Sequence, residues 1–265
     1  MIAEDLLHLA GTNLVETYLQ LGLATPEAVV MEDEGFIACL GSYPHPICNF
    51  AVRLRLDPWS ARRLQAVASA RSTFHVYVLP EDQPTHLAEL LARADFGRIY
   101  ALESMAWEGG AAEASIELAE ATDPITRLST AQFMTRQFFG RQTEEFQSQV
   151  RQATSGAEKL GLYHYADRGK TLGAVMLSRT PGTLGVYNLC VLAGSRRRGV
   201  GTRIARWCQS VAVIERRTVV LQCDSSLAAW YSKFGFRSLG RVEVFSLLKP
   251  DSLDIIEVGS VYQRV

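Results

Sequence analysis

Leu189-Cys190-Val191-Leu192-Ala193-Gly194-Ser195-Arg196-Arg197-Arg198-Gly199-Val200-Gly201-Thr202 reads as a buried strand that runs into a basic, glycine-bearing turn and opens a helix. Apolar residues recur at helical spacing beyond it (Val200, Ile204, Trp207, Cys208, Val211, Ile214), so the glycines stand where the helix begins. The first N–H groups of a helix have no intrahelical acceptor and sit at the positive end of its dipole, which suits a polyanion such as a phosphate. Gly199 and Gly201, lacking a Cβ, admit oxygen atoms against the backbone. Between Arg196 and Arg206 there are five arginines and no acid, and each guanidinium can add charge-assisted hydrogen bonds. The alternative reading is a solvated helix start coated by three arginines. Neither Gly-x-x-x-x-Gly-Lys-Ser/Thr nor Gly-x-Gly-x-x-Gly occurs here, so the two common nucleotide loops are excluded.

Outward from this turn, the pattern predicts alternating element types. Ala114 to Glu120 reads as a strand, Asp123-Pro124 caps a helix to about Phe139, and a second helix runs to about Ala153. Leu160 to Ala166, Thr171 to Ser178 and Leu184 to Leu192 read as strands joined by turns at Asp167-Arg168-Gly169-Lys170 and Pro181-Gly182. After the helix from Gly199, a short apolar strand (Thr218 to Leu221), a helix (Ser226 to Phe234, stopped by Gly235) and a last strand (Leu239 to Leu248) follow. The order β-α-α-β-β-β-α-β-α-β implies an α/β fold with a mixed sheet and helices on both faces.

Arg196-x-x-Gly199-x-Gly201 following Val191 resembles the acetyl-CoA pyrophosphate motif of the GNAT superfamily of N-acetyltransferases. Downstream, Asp224 to Phe236, with Tyr231 shortly before Gly235-Phe236, is similar to that family's second signature. The resemblance spans roughly 113 to 249 and implies a GNAT-like acyl-CoA N-acyltransferase fold. It implies acetyl-CoA as cosubstrate, no metal, and transfer of an acetyl group to a primary amine of a small molecule or peptide. Backbone groups around Leu189 and Val191 would then meet the acetyl and pantetheine amides. Arg196, Arg197, Arg198, Gly199, Val200, Gly201 and Thr202 would hold the pyrophosphate. Tyr231 would be the general acid, its ordinary pKa of about 10 keeping it protonated at neutral pH; the other reading makes it a packed aromatic between Trp230 and Phe234.

Asp224 stands where relatives have an Asn on the pantetheine side, and as an acceptor-only group it departs from that pattern. No carboxylate occupies the strand before the phosphate turn, which reads Val186-Tyr187-Asn188-Leu189, so the general base is left among His164, Asp224 and a water chain. The runner-up reading is therefore a non-catalytic acyl-CoA sensor or scaffold.

A lag of about 140 residues relates the first half to the second. Asn49 to Val52 lines up with Asn188 to Val191, Ala61 to Ala70 with the helix after Gly199, Val76 to Leu79 with Thr218 to Leu221, and Leu87 to Phe96 with Leu227 to Phe236. In this copy Leu56-Asp57-Pro58-Trp59-Ser60-Ala61 replaces the phosphate turn, with no glycine and with an acid, and Leu91 replaces Tyr231. The chain thus resembles two tandem GNAT-like domains, a degenerate one over residues 1–112 and a catalytic one over 113–265, divided near Trp107-Glu108-Gly109-Gly110-Ala111-Ala112. Residues 1–112 carry 7 basic and 14 acidic side chains, so an acidic wall including Glu32, Asp33 and Glu34 is expected to steer a cationic amine; Tyr43-Pro44-His45-Pro46 reads either as a rigid loop or as a turn whose His45 faces the substrate.

The net charge of −1 over 265 residues excludes bulk binding to nucleic acid or anionic membrane. Five cysteines in apolar runs, without Cys-x-x-Cys spacing, read as buried free thiols in a reducing compartment. With no long uncharged apolar stretch and no cationic flank after Met1, a cytoplasmic protein is expected. Acceptor identity and homo-oligomerisation are left open by the sequence.

Overall fold

A computed structural model describes residues 3–248. The tail from Lys249, in which Val258 to Val265 read as a candidate closing strand in sequence, lies outside the described residues.

The chain begins with α1 (Ala3–Leu23), followed by β1 (Val29–Glu32), β2 (Ile37–Leu40), β3 (Asn49–Val52), α2 (Pro58–Ser69), β4 (His75–Val78), α3 (Leu87–Arg93) and β5 (Phe96–Trp107). The second half contributes β6 (Ala119–Glu120), α4 (Pro124–Phe139), α5 (Glu144–Gly156), β7 (Gly161–Asp167), β8 (Lys170–Thr180) and β9 (Thr183–Val191). A single 3-10 turn (Ala193–Ser195) then leads to α6 (Val200–Glu215), β10 (Thr218–Cys223), α7 (Ser225–Ser232) and β11 (Arg237–Leu247). The expected order of the second half is recovered. The strand expected from Ala114 is shorter, since only Ala119 and Glu120 pair with β7, while Ile116 and Leu118 pack on the core from irregular backbone. Asp123 caps α4 by accepting from the N–H groups of Ile125 and Thr126, with Pro124 in the first turn.

All eleven strands join one mixed sheet, ordered β1-β2-β3-β4-β11-β5-β10-β9-β8-β7-β6. Within it, β2-β3-β4 on one side repeats β8-β9-β10 on the other, and the matching helices are α2 with α6 and α3 with α7. The last strand of each half has changed sides. β5 runs antiparallel to β10, β11 runs antiparallel to β4, and the two lie side by side at the centre. The glycine-rich stretch after Trp107 therefore separates the halves along the chain, while in space each half completes the sheet of the other.

Helices α2, α3, α6 and α7 cover one face of the sheet, where Leu64, Leu91, Ile204, Trp207 and Tyr231 are buried. On the opposite face lie α1, α4 and α5, burying Leu14, Met134, Phe138 and Val150. A buried polar network fixes α1 across the junction. Asn13 Nδ2 donates to the Ser178 carbonyl and to the hydroxyls of Thr180 and Thr183, and Tyr187 donates to Asn13 Oδ1. Thr17 donates to the Ser178 hydroxyl. Gly185 makes room for this, since a Cβ there would come within 2.0 Å of Asn13 Oδ1. The five cysteines are buried free thiols. Among the described residues, no helix is long and apolar enough to cross a membrane.

Candidate active site

Strands β9 and β10 are parallel neighbours for three residue pairs only, Thr183 with Thr218, Leu184 with Val219 and Gly185 with Val220. Both strands continue, β9 to Val191 and β10 to Cys223, without further pairing to each other. They part and leave backbone groups unspent on facing edges. A bulge on the other edge of β9 accentuates this: Ala174 faces Cys190 but Met176 faces Tyr187, and Asn188 takes a φ of 50°. Leu189 and Val191, both buried, point to the face covered by α6 and α7, whereas Tyr187 and Cys190 point to the opposite face.

The turn after β9 delivers the chain to the start of α6. The first helical bond runs from the Arg203 N–H to the Gly199 carbonyl, which leaves the N–H groups of Val200, Gly201 and Thr202 without intrahelical acceptors. No side chain caps this end. Gly199 has a φ of 76° and open space where a Cβ would stand. Arg197 also takes a positive φ, 60°, which is uncommon for a residue with a side chain. Arg197 and Arg198 are exposed, and among the described residues no carboxylate pairs with any of the three arginines. Arg196 behaves differently, its Nε donating to the Val191 carbonyl at 3.2 Å while Nη2 lies 3.5 Å from Gln137 Oε1. Its guanidinium ties the turn back to β9.

The corresponding end of α2 is closed. Asp57 accepts from the Ser60 N–H at 2.6 Å, and the Ser60 hydroxyl returns a contact to the Asp57 N–H at 2.8 Å, a reciprocal cap that also lowers the Asp57 pKa. One helix start presents bare donors, and its counterpart spends them on its own carboxylate.

Tyr231 on α7 is fully buried among Cys208, Cys223, Trp230 and Phe236, in the same core as Leu189 and Val191. Its hydroxyl has no hydrogen-bond partner among the described residues. Burial pushes its pKa up, with the Cys223 and Cys208 thiols adding to the shift, so the phenol holds its proton at any ordinary pH. Leu91 fills the matching place in the first half. Asp224 caps α7 by accepting from the Ser226 N–H at 2.9 Å. His164 stands on β7, two strands from the gap, with Nδ1 3.4 Å from the Thr130 hydroxyl.

On the opposite face, at the level of the gap, lies a cavity of about 70 Å³. Asn188 of β9 and Gln222 of β10 line it beside Tyr77, Tyr100, Phe139 and Met176; Tyr18 and Leu21 of α1 and the 45–47 loop close it. His45 does reach this wall. Its Nδ1 accepts the Ile47 N–H at 2.8 Å, its ring packs on Phe139 and Phe146, and Nε2 has no partner among the described residues. Burial, with a smaller push from His75, lowers the His45 pKa to about 3. Gln222 is buried and its Oε1 is likewise unpartnered. The acidic wall is elsewhere: Glu32, Asp33 and Glu34 sit at the β1–β2 turn on the far edge of the sheet, and Asp33 is held by Arg63 at 2.6 Å. These three carboxylates therefore stand away from the cavity and do not line it. The sequence reading missed α1 and the aromatic wall, and the one signal for Gln222 was a polar residue closing an otherwise apolar run.

Residues 159–238 match the family model described as "Acetyltransferase (GNAT) domain". No curated protein sequence matches the chain significantly. Among solved structures, a GCN5-related N-acetyltransferase from Kribbella flavida is similar over 90% of this chain and 96% of its own, at 14% identity and a TM-score of 0.65. A tandem GNAT protein from the clavulanic acid biosynthesis pathway aligns over 92% of this chain and 93% of its own (16% identity, TM-score 0.55). An acetyltransferase described as putative, of the GNAT family and from Novosphingobium aromaticivorans, covers 87% and 97% (15% identity, TM-score 0.55). Residues 159–238 thus match a GNAT domain model, and the fold of the chain as a whole is similar to those of solved GNAT structures, a tandem one among them.

Proposed function

We propose that the protein is an acetyl-CoA-dependent N-acetyltransferase that acts on the primary amine of a small molecule or peptide. One observation carries this reading: the bare N-terminus of α6 stands beside the opening between β9 and β10, while the same end of α2 is capped by Asp57. The residues fit the ligand. Three unspent N–H groups, Arg197 and Arg198 suit a diphosphate, and the free edges of β9 and β10 suit the amides of a pantetheine arm. Arg196 acts as a positioning residue through its bond to Val191, and Asp224 acts through its cap on α7.

When bound, acetyl-CoA supplies a thioester whose carbonyl carbon the amine attacks, with the thiolate leaving. The two partners approach from opposite faces of the sheet. The CoA side is the α6/α7 face, where Tyr231 holds a proton with no competing acceptor and can give it to sulfur. The amine side is the cavity behind Asn188 and Gln222. With Asp224 spent on its cap and His164 two strands away, water in the cavity is the route left for the amine proton. In this reading residues 113–265 form the catalytic domain. Residues 1–112 form a degenerate copy that lends strand β5 and one wall of the cavity.

The test is thiol release from acetyl-CoA over an amine panel, for wild type and Tyr231→Phe, with CoA affinity measured in parallel. Release that drops on substitution at unchanged affinity supports the enzyme. Binding of acetyl-CoA with no release from any amine would leave the sensor reading in its place.

A further inference from the structure

We infer that the acceptor is a neutral, weakly basic amine with an apolar or aromatic body and a hydrogen-bond acceptor at its far end, held between Gln222 and His45. This deepens the proposed function and rests on it for the chemistry, although not for the binding.

The cavity sets both terms. Its wall is mostly aromatic and aliphatic, its polar side chains including Thr154, Asn188, Gln222 and His45, and no Asp, Glu, Lys or Arg lines it. An alkylammonium entering it would lose its water and find no carboxylate, a heavy desolvation cost, whereas an amine already neutral at pH 7 enters without that cost. The same neutrality removes the need for a strong base, in keeping with the missing carboxylate. An aniline-type nitrogen arrives with its lone pair free and loses its proton only after the C–N bond forms, to water in the cavity, as the thiolate leaves.

Two buried polar atoms in this wall lack partners among the described residues, one a donor and one an acceptor. His45 Nδ1 accepts the Ile47 N–H, so Nδ1 is bare and the proton of the neutral ring sits on Nε2. That nitrogen is a donor and requires an acceptor from the ligand. It is thereby unsuited to serve as the general base. Gln222 Oε1, on the strand that borders the gap, is an acceptor and suits the N–H of the nucleophile. The amine is thus oriented by β10 at the reacting end, and the remote carbonyl or ether by a residue of the first half. Tyr77 and Tyr100, also of the first half, flank the body.

The probes are 4-aminoacetophenone (neutral amine, remote carbonyl), 4-(aminomethyl)acetophenone (ammonium at pH 7, same carbonyl) and 4-ethylaniline (neutral amine, no acceptor). Binding is measured by calorimetry at pH 7 without acetyl-CoA, so failure of catalysis cannot mask the result. The expected order places 4-aminoacetophenone about tenfold or more tighter than either of the others, the scale of one hydrogen bond or one misplaced charge. His45→Phe should abolish its advantage over 4-ethylaniline, with a thermal melt confirming folding. Equal or tighter binding of the ammonium probe to wild type overturns the inference, and so does an unchanged preference in a folded His45→Phe. Thiol release with acetyl-CoA is then read separately. Selective binding without release would count against the proposed function and leave this assignment of the pocket standing.

Discussion

Tyr231 places a hydroxyl in an apolar surround with nothing to bond to, an arrangement that is costly for a residue with only a packing role. Tyr231→Phe should therefore leave Tm unchanged or raise it, while thiol release falls by about 100-fold or more, the range of a lost general acid. A lower Tm with an unchanged rate would make the tyrosine structural. His45 and His75 make a second statement at this scale. Burial lowers their pKa values to about 3 and about 4, below the ordinary value near 6.5, so each is neutral in the fold. As pH falls through 6.5 the unfolded chain takes up protons that the fold refuses, and stability declines by about 1.4 kcal/mol per pH unit for each histidine. Above pH 7 neither contributes a slope. Chemical denaturation at pH 7, 6 and 5 should show this decline, and His45→Phe should roughly halve it.

At the scale of elements, the contrast between α6 and α2 is testable because the two helix starts do different work. Asp57→Ala removes the reciprocal cap and should cost about 1 kcal/mol of stability with CoA affinity intact. Gly199→Ala meets no neighbouring atom but forces a side chain into left-handed backbone, at about 1 kcal/mol or more, and shifts the donors of Val200 to Thr202. Its CoA affinity should fall at least tenfold in a titration, and retained affinity would count against the assignment of the turn. These helices were legible in sequence because local signals define them: Asp123-Pro124 and Gly235 mark ends, and Ile204, Trp207 and Val211 mark a buried stripe. Helix α1 was not: beside the apolar Leu6, Leu14 and Leu21 it buries Asn13 and Thr17, whose side-chain partners lie more than 160 residues away.

The whole molecule is built from two similar halves that exchange their last strands, and this governs its cooperativity. Separated fragments 1–112 and 113–265 would each lose a strand neighbour, β4 losing β11 and β10 losing β5. Each fragment alone should lack a sharp thermal transition, and co-expression should restore one; independent folding of both would contradict the exchanged sheet. The 140-residue lag made the repeat readable, because matching strands and helices share periodicity. The exchange and the cavity were not readable, since pairing of β11 with β4 and the lining of one cavity by both His45 and Gln222 are non-local outcomes that no window of sequence contains. Central to the account is the grip of the α6 turn on a diphosphate. Titrating 15N-labelled protein with CoA measures it directly: the amide resonances of Gly199, Val200, Gly201 and Thr202 should shift together and saturably, with those of Pro58-flanking Asp57 and Ser60 unmoved. Saturation by CoA with the four α6 resonances in place would contradict it.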